Sequence, residues 1–306
     1  MENMQNNSTA NLSSSHWYDR YYWLLFLIPF LLLISSIIYI GSVYAKTGDV
    51  MYKDVTLTGG TTLTLIGSDF KATEMEQKLQ QTYPGKYSDI LIRSLVDIQT
   101  GKQTAITIET KADSTELITD VESMLNIKLD EKNSSVEFTG SFLSKSFYLD
   151  LIKALIIAFL FMSITVFIIF KVPIPSLAVI FAAFTDITVT LAVVDLLGLR
   201  VSTAGIAAFL MLIGYSVDTD ILLTTRVLKR RETGPLNSRM VSAMKTGLTM
   251  TLTGIAAMLT AYLIFQSPTL KQVFLIILIG LVVDMLATWL GNTGILKWYC
   301  KKKNIQ

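Results

Sequence analysis

Six long apolar segments divide the chain, and a stretch of mixed character separates the first segment from the other five. Each segment is long enough for an α-helix to cross the hydrocarbon core of a bilayer. The pattern therefore predicts a polytopic α-helical membrane protein with six transmembrane helices. A cleaved signal peptide is the alternative for the first segment, but its apolar run is longer than a typical signal core. The other five segments cover residues 149–170, 174–197, 203–225, 241–265 and 270–296.

The stretch between the first and second segments carries the periodicities of a small soluble domain. Apolar residues alternate with polar ones near 55–65, and the alternation is interrupted at Gly59 and Gly60, which predicts a strand with a bulge. Alternation recurs near 90–98, 106–108 and 136–138, which predicts three more strands.

Two helix starts are indicated within the same stretch. Thr73 with Glu76 has the spacing of a capping box, and Asp113 precedes Glu116 in front of a second amphipathic run. The order strand, helix, strand, strand, helix, strand is that of a ferredoxin-like α+β domain. The predicted organisation is a leader (1–22), a first span (23–45), the ferredoxin-like domain (46–147), a five-helix membrane domain (148–297) and a basic tail (298–306).

Lysine and arginine are distributed unevenly between the two sides of the predicted bundle. Short cytoplasmic loops of membrane proteins carry an excess of these residues. Both termini are therefore predicted to be cytoplasmic, and the ferredoxin-like domain extracytoplasmic. The side with the termini holds Arg20, Lys171, Arg226, Lys229, Arg230, Arg231, Arg239, Lys297 and Lys301 to Lys303, against Arg200 and Lys271 in short loops on the other side.

Composition narrows the chemistry further. The chain is 51% hydrophobic and 16% charged, and its mean hydropathy is +0.51. It has one cysteine, Cys300, and one histidine, His16, so an intrachain disulfide is excluded and a Cys/His metal site is not expected. No Walker-type loop is present, which argues against a nucleotide-driven engine. We expect no cofactor, no nucleic-acid partner and no enzymatic activity.

Acidic residues inside the predicted spans are the candidate functional groups. A carboxylate at the centre of a bilayer costs roughly 2.5–3.5 kcal/mol on insertion scales, so such residues usually have a function. Asp186 and Asp284 lie at similar depths in the third and sixth spans, while Asp218 and Asp220 occupy the fourth, two residues apart and on different faces.

We predict that Asp186 and Asp218 belong to one proton-responsive site, with Arg226 as a nearby electrostatic partner. Hydrogen-bonded contacts that only hold the helices together are the alternative interpretation of these acids.

Three stretches resemble the SecD/SecF family of protein-export membrane proteins, in the RND superfamily. LIGYSVDTDILLTTRVLKRRE, which contains Gly214 and Tyr215, resembles the fourth-span signature of the SecF type. AAFTDITVTL places Asp186 at that type's third-span acid, and DVTLTGGTTLTL, with Gly59 and Gly60, resembles the strand that opens its first large domain. The six-span layout, an RND-like half, is also similar.

The chain departs from the bacterial pattern in one motif. Bacterial members read Asn-Asp-Thr where this chain reads Asp218-Thr219-Asp220, so an acid is displaced to either side. The Asp-Thr-Asp form is more similar to archaeal members. Asp284 has no counterpart in the bacterial pattern.

The resemblance implies an auxiliary subunit of the Sec translocation machinery. Such a subunit acts in the cytoplasmic membrane with SecD and the SecY channel complex, in contact with membrane lipid, and assists export of unfolded secretory polypeptides by using the proton-motive force. A stand-alone exporter of lipid or small solute, related to RND pumps, is one alternative. An intramembrane aspartyl protease is another, although its Gly-x-Gly-Asp motif is missing.

Overall fold

The computed structural model describes residues 15–67, 70–87, 90–96, 102–229, 234–265 and 267–304. Most of the predicted leader, Ile98 in the second predicted strand, and the loop residues Arg230 and Arg231 lie outside the described residues.

Helices and strands account for most of the described chain. In chain order they are α1 (Ser15–Thr47), α2 (Val55–Thr58), β1 (Gly60–Ile66), α3 (Ala72–Thr82), β2 (Leu91–Val96), β3 (Gln103–Thr110), α4 (Ser114–Leu125), β4 (Ser134–Thr139), α5 (Ser141–Phe170), α6 (Pro173–Leu196), α7 (Thr203–Lys229), α8 (Leu236–Ile264), α9 (Pro268–Leu286), a π-helix (Ala287–Asn292) and α10 (Thr293–Lys302).

The six predicted spans are confirmed as helices. Among the described residues, six helical segments are long and apolar enough to cross a membrane, and the sixth runs through α9, the π-helix and α10. The spans differ in how much of each is buried by the rest of the protein. In α6 and in α7, 56% of the most apolar stretch is buried, against 6% in α5 and 11% in α8. The bundle is therefore centred on α6, α7 and the sixth span, while α5 and α8 lie at its periphery.

The domain between α1 and α5 has the predicted ferredoxin-like fold. Its four antiparallel strands have the order β2-β3-β1-β4, and α3 and α4 cover one face. Leu63 on β1 is paired with Ile108 on β3, and both side chains are fully buried under Leu79 of α3 and Leu117 of α4. Successive side chains of each strand point alternately into this core and to the opposite face of the sheet, which explains the apolar–polar alternation that predicted the strands.

Two details of the predicted domain are wrong. Val55–Thr58 is one turn of helix instead of strand, because the Asp54 carboxylate accepts hydrogen bonds from the Thr56 N–H (2.8 Å) and caps the turn. The strand begins only at Gly60. Helix α3 begins at Ala72, before the predicted capping box, and its N-cap residue Lys71 makes no capping hydrogen bond with its side chain. The predicted N-cap Asp113 is confirmed, since it accepts from the Thr115 N–H at 2.9 Å.

The linker after α1 binds the domain to one end of the bundle. In this linker, the backbone carbonyl of Tyr52 accepts a hydrogen bond from the Val201 N–H at 2.6 Å, and the Tyr52 N–H donates to the Asp195 carboxylate at 3.1 Å. The backbone N–H of Asp54 donates to the Val201 carbonyl at 3.1 Å, and the Thr203 N–H donates to Thr56 Oγ1 at 3.0 Å. We call this the domain end of the bundle, and the end that carries Lys302 the tail end.

Candidate membrane acid site

Three carboxyl groups meet at the centre of the bundle. They belong to Asp186 on α6, Asp220 on α7 and Asp284 on α9, and all three residues are fully buried. The Asp186 and Asp284 carboxyls are within hydrogen-bonding reach of each other, which their similar depth in the sequence predicts. The cluster forms here because α6, α7 and the sixth span are the helices that pack at the centre.

Neutral hydrogen-bond donors surround the acids. Ser216 Oγ donates to Asp186, and Asn292 Nδ2 donates to Asp220 Oδ1 at 2.7 Å. Thr288 Oγ1 lies 3.0 Å from Asp220 Oδ1 and 3.1 Å from Asp284 Oδ1. Within the described part of the chain, one oxygen of each carboxyl has no N–H or hydroxyl donor, and none of the three forms a salt bridge. Protons can therefore bind to and leave these groups without breaking an ion pair.

Helical spacing explains which side chains reach the cluster. Ser216 and Asp220 are four residues apart on α7, so they share the face that points inward. Asp284 and Thr288 have the same spacing on the sixth span. The π-helix then brings Asn292 onto the same side, so that one helix contributes an acid, a hydroxyl and an amide.

Asp218 and Arg226 do not join this site. Residues two positions apart on an α-helix point in directions that differ by about 200° around its axis. Asp218 therefore faces outward when Asp220 faces inward, and the side chain of Asp218 is exposed. Arg226 Nη1 instead binds Ser242 on α8, its Oγ at 2.7 Å and its carbonyl at 3.0 Å. The prediction that Asp186 and Asp218 share one site is therefore corrected, and Asp220 takes the place of Asp218.

The remaining motif residues lie elsewhere. Gly214 and Tyr215 are exposed on the outward face of α7, together with Asp218. Gly59 and Gly60 lie at the start of the domain with φ of 82° and 142°. A Cβ on Gly60 would be 2.3 Å from the Thr110 carbonyl oxygen, so a close backbone approach requires this glycine.

Sequence reasoning missed four side chains that the structure brings forward. Ser216, Thr288 and Asn292 hold the acids, and Lys245 on α8 is a basic residue exposed on a spanning helix. The spacing of four from Asp284 to Thr288 and from Thr288 to Asn292 was the available signal. For Lys245 the signal was a charge inside an apolar segment.

Comparison with known proteins identifies the family. The family described as "Protein export membrane protein SecD/SecF, C-terminal" matches residues 120–302, which is more than half of the chain. The chain belongs to the SecD/SecF family. The match contains all three acids of the cluster and the five membrane spans that follow the ferredoxin-like domain.

Individual relatives in the SecD/SecF family are of the SecF type. The protein-export membrane protein SecF of Methanothermobacter thermautotrophicus is 50% identical over 176 residues, which cover 56% of this chain and 61% of that protein. SecF of Methanolacinia petrolearia is 35% identical over 90% of this chain and 93% of its own length. SecF of Methanocaldococcus jannaschii is 36% identical over 89% and 93%, respectively. These relatives confirm the archaeal-like SecF resemblance.

Solved structures of the SecD/SecF family have the same fold. The crystal structure of SecDF from Thermus thermophilus, titled a translocon-associated membrane protein, matches with a TM-score of 0.72 at 19% identity. The match covers 91% of this chain and 38% of the SecDF chain, so this chain corresponds to about two fifths of that longer protein. A structure of SecDF in a super-membrane-facing form matches with a TM-score of 0.54.

Proposed function

We propose that this chain is a SecF-type auxiliary subunit of the Sec export machinery, and that proton binding by Asp186, Asp220 and Asp284 drives its action. The observation that carries the proposal is the cluster itself. Three fully buried carboxyls from three helices are held by neutral donors, and none forms a salt bridge within the described residues. Ionisable groups inside membrane bundles are commonly parts of proton pathways.

Proton binding is expected to change the contacts between helices. A carboxylate only accepts hydrogen bonds, whereas a protonated carboxyl also donates one. Protonation of Asp220 or Asp284 therefore rearranges the bonds that join α7 to the sixth span. Such a local change of charge biases the bundle between two packed arrangements.

The same helices lead directly to the domain. Asp186 lies on α6, whose last turn holds the linker through Asp195, and the loop before α7 pairs with that linker through Val201. Helices transmit displacement as nearly rigid rods. We infer that a shift of α6 or α7 moves the ferredoxin-like domain, which in this proposal is extracytoplasmic and assists secretory polypeptides as they leave the SecY channel.

The outward face of α7 and α8 is the proposed contact with SecD. Asp218 and Lys245 are exposed there, and charges facing hydrocarbon are costly. The chain corresponds to only 38% of the SecDF protein that shares its fold, which leaves room for a SecD-type partner over this face. Peripheral helices such as α5 are left to contact lipid.

The test measures export into membrane vesicles under an imposed proton gradient, together with recovery of the complex with SecD. We expect Asp186→Asn and Asp220→Asn to lose the gradient-dependent part of export while the complex is recovered normally. Asp218→Asn is expected to weaken recovery of the complex instead. Asp150→Asn is the matched control, because Asp150 is exposed on a spanning helix and paired with Lys153 at 3.2 Å. Full gradient-dependent export by Asp220→Asn would contradict the proposal.

A second candidate function, intramembrane proteolysis, rests on one observation. The Asp186 and Asp284 carboxyls interact with each other, and a pair of interacting acids is the arrangement that aspartyl proteases use. Incubation of the purified complex with a membrane-spanning peptide decides between the two. Cleavage of the peptide by the wild type that is lost in Asp284→Asn would support the protease. If the wild type does not cleave the peptide but shows gradient-driven export, the SecF-type function is supported. Gradient-driven movement of lipid or small solute without SecD would instead support a stand-alone exporter.

A further inference from the structure

The hydroxyl of Thr288 occupies a special position within the acid cluster. Its Oγ1 is 3.0 Å from Asp220 Oδ1 and 3.1 Å from Asp284 Oδ1, and the residue is fully buried. A hydroxyl has one proton to donate and lone pairs with which to accept. Thr288 can therefore donate to only one of the two acids at a time. The second contact becomes a hydrogen bond only when that acid is protonated and donates to Thr288 Oγ1.

The π-helix brings Asn292 and Thr288 to the same oxygen of Asp220. In an uninterrupted α-helix, Asn292 would lie about 80° around the axis from Asp284, at 3.6 residues per turn. The wider π turn reduces that angle, so Asn292 Nδ2 reaches Asp220 Oδ1, the same oxygen that faces Thr288. The turn is closed by Thr293, whose Oγ1 donates to the Thr288 carbonyl at 2.9 Å. Single π turns inside α-helices occur frequently at functional sites.

Packing from two other helices holds the π-helix in place. Trp289 fills the space beside Gly247 of α8, where a Cβ would be 2.3 Å from the Trp289 ring. Gly291 packs against Pro29 of α1, whose ring atoms would be 3.4 Å from a Cβ. The backbone around Thr288 is therefore fixed independently of the acids that its hydroxyl contacts.

We propose that Thr288 is a proton relay between Asp284 and Asp220, an inference that rests on the proposed function. The O–H bond of protonated Asp284 breaks as its proton passes to Thr288 Oγ1. At the same time the Thr288 O–H bond breaks, and that proton passes to Asp220 Oδ1. Asp284 becomes a carboxylate, Asp220 becomes a carboxylic acid and the hydroxyl is restored. Among the described residues, Asp186 of α6 is the titratable group that also faces the pair, and it can reload Asp284.

The test uses the complex with SecD, reconstituted in liposomes with an imposed pH gradient and a pH-sensitive dye inside. Thr288→Val keeps the shape of the side chain and removes the hydroxyl, and we expect proton uptake to fall about 100-fold, the scale of a lost proton-transfer group. Thr288→Ser is expected to keep most of the rate. Thr185→Val is the matched control, because Thr185 is as deeply buried but donates to the Phe181 carbonyl of its own helix at 2.8 Å.

The outcomes separate the relay from the function on which it rests. Proton uptake at the wild-type rate by Thr288→Val overturns the relay, and if Asp220→Asn is inactive in the same assay, the proposed function still stands. Uptake at the wild-type rate by Asp220→Asn would instead remove the proposed function. If Thr288→Val does not assemble, Thr288→Ser is compared with Thr288→Ala. Both remove the methyl group and only serine keeps the hydroxyl, so equal loss of rate in these two variants contradicts the relay.

Discussion

Gly247 lies at a close contact between two spanning helices. A Cβ at this position would be 2.3 Å from Trp289 Cζ2 and 3.3 Å from Thr219 Cγ2, so even alanine forces the tryptophan ring to move. Overpacking of this kind destabilises proteins by about 1–3 kcal/mol. We therefore expect Gly247→Ala to lower the thermal unfolding temperature of the complex in detergent and to reduce proton-driven activity, because Trp289 belongs to the π-helix.

Gly254→Ala on the same helix is the matched control for this prediction. Its Cβ would be 3.5 Å from Leu281 Cδ1, which is an ordinary contact, and alanine favours helix by up to about 1 kcal/mol over glycine. An equal effect of the two substitutions on unfolding would show that the contact with Trp289 is unimportant.

The acid cluster shows how far single residues could be predicted. The sequence identified Asp186, Asp218, Asp220 and Asp284 as candidate functional groups because carboxylates are rare in apolar spans. It also indicated that Asp218 and Asp220 point in different directions. Which of the two faces inward depends on the helices that pack against α7, and no local pattern encodes that choice. The predicted site contained Asp218, whereas the packing buries Asp220.

At the scale of elements, the start of β1 depends on a backbone conformation that only glycine adopts easily. Gly60 has a φ of 142°, and a Cβ would be 2.3 Å from the Thr110 carbonyl oxygen. Strained backbone of this kind costs about 1–3 kcal/mol per residue. We expect Gly60→Ala to lower the thermal unfolding temperature of the purified protein and to loosen the pairing of β1 with β3, measured by amide hydrogen exchange.

Gly41→Ala provides the comparison for Gly60→Ala. Gly41 lies within α1, and among the described residues no atom beyond its own stretch of helix lies within 4 Å of an added Cβ, so this change should leave stability unchanged or slightly raised. Normal exchange protection of β1 in Gly60→Ala would remove the backbone argument.

Helix α2 explains why one element was mispredicted while the domain around it was not. Val55 and Leu57 alternate with polar residues as a strand would, but Leu57 packs with Val194 and Phe209 of the bundle instead of the domain core. The alternation of Val55 and Leu57 therefore reflects burial of Leu57 against the membrane bundle and not against the core of the ferredoxin-like domain. The other strands were predictable because each buries its apolar face in the core of its own domain.

Asp54, the N-cap of α2, gives the junction a dependence on pH. Burial raises the pKa of the Asp54 carboxyl to about 6, against an ordinary value of 3.8, although hydrogen bonds from Thr56 oppose the shift. The folded protein thus holds this proton more tightly than the unfolded chain. The favourable contribution is complete below the ordinary pKa and is lost as pH rises through about 6.

Asp54→Asn should remove this dependence because asparagine remains a good N-cap and cannot ionise. We expect the variant to gain thermal stability over the wild type progressively as pH rises from about 4 to 7, in scans of the purified protein. Asp113→Asn, at an exposed N-cap of the same domain, controls for the loss of a capping charge. A difference between Asp54→Asn and wild type that does not change with pH contradicts the prediction.

For the whole molecule, sequence predicted the number of spans but not their arrangement. Helix α5 and the sixth span have the same mean hydropathy of 2.6, yet 6% of the first and 50% of the second are buried inside the protein. Lipid and protein interior are equally apolar, so hydropathy cannot distinguish them. Small and polar residues mark the buried helices, and they became interpretable only once their partners were known.

Orientation in the membrane is the property on which the proposed function of the whole molecule depends. Basic residues gather at the tail end, where Lys301, Lys302 and Lys303 follow one another, and the positive-inside rule predicts that this end is cytoplasmic. We expect a cysteine at Lys132, in the exposed turn before β4, to react with a membrane-impermeant maleimide on intact cells. A cysteine at Lys303 should react only after the membrane is opened. Both are made in a Cys300→Ser background, because the native cysteine is buried and would otherwise label once unfolded. The reverse pattern would place the ferredoxin-like domain in the cytoplasm, where it could not assist polypeptides that leave the channel.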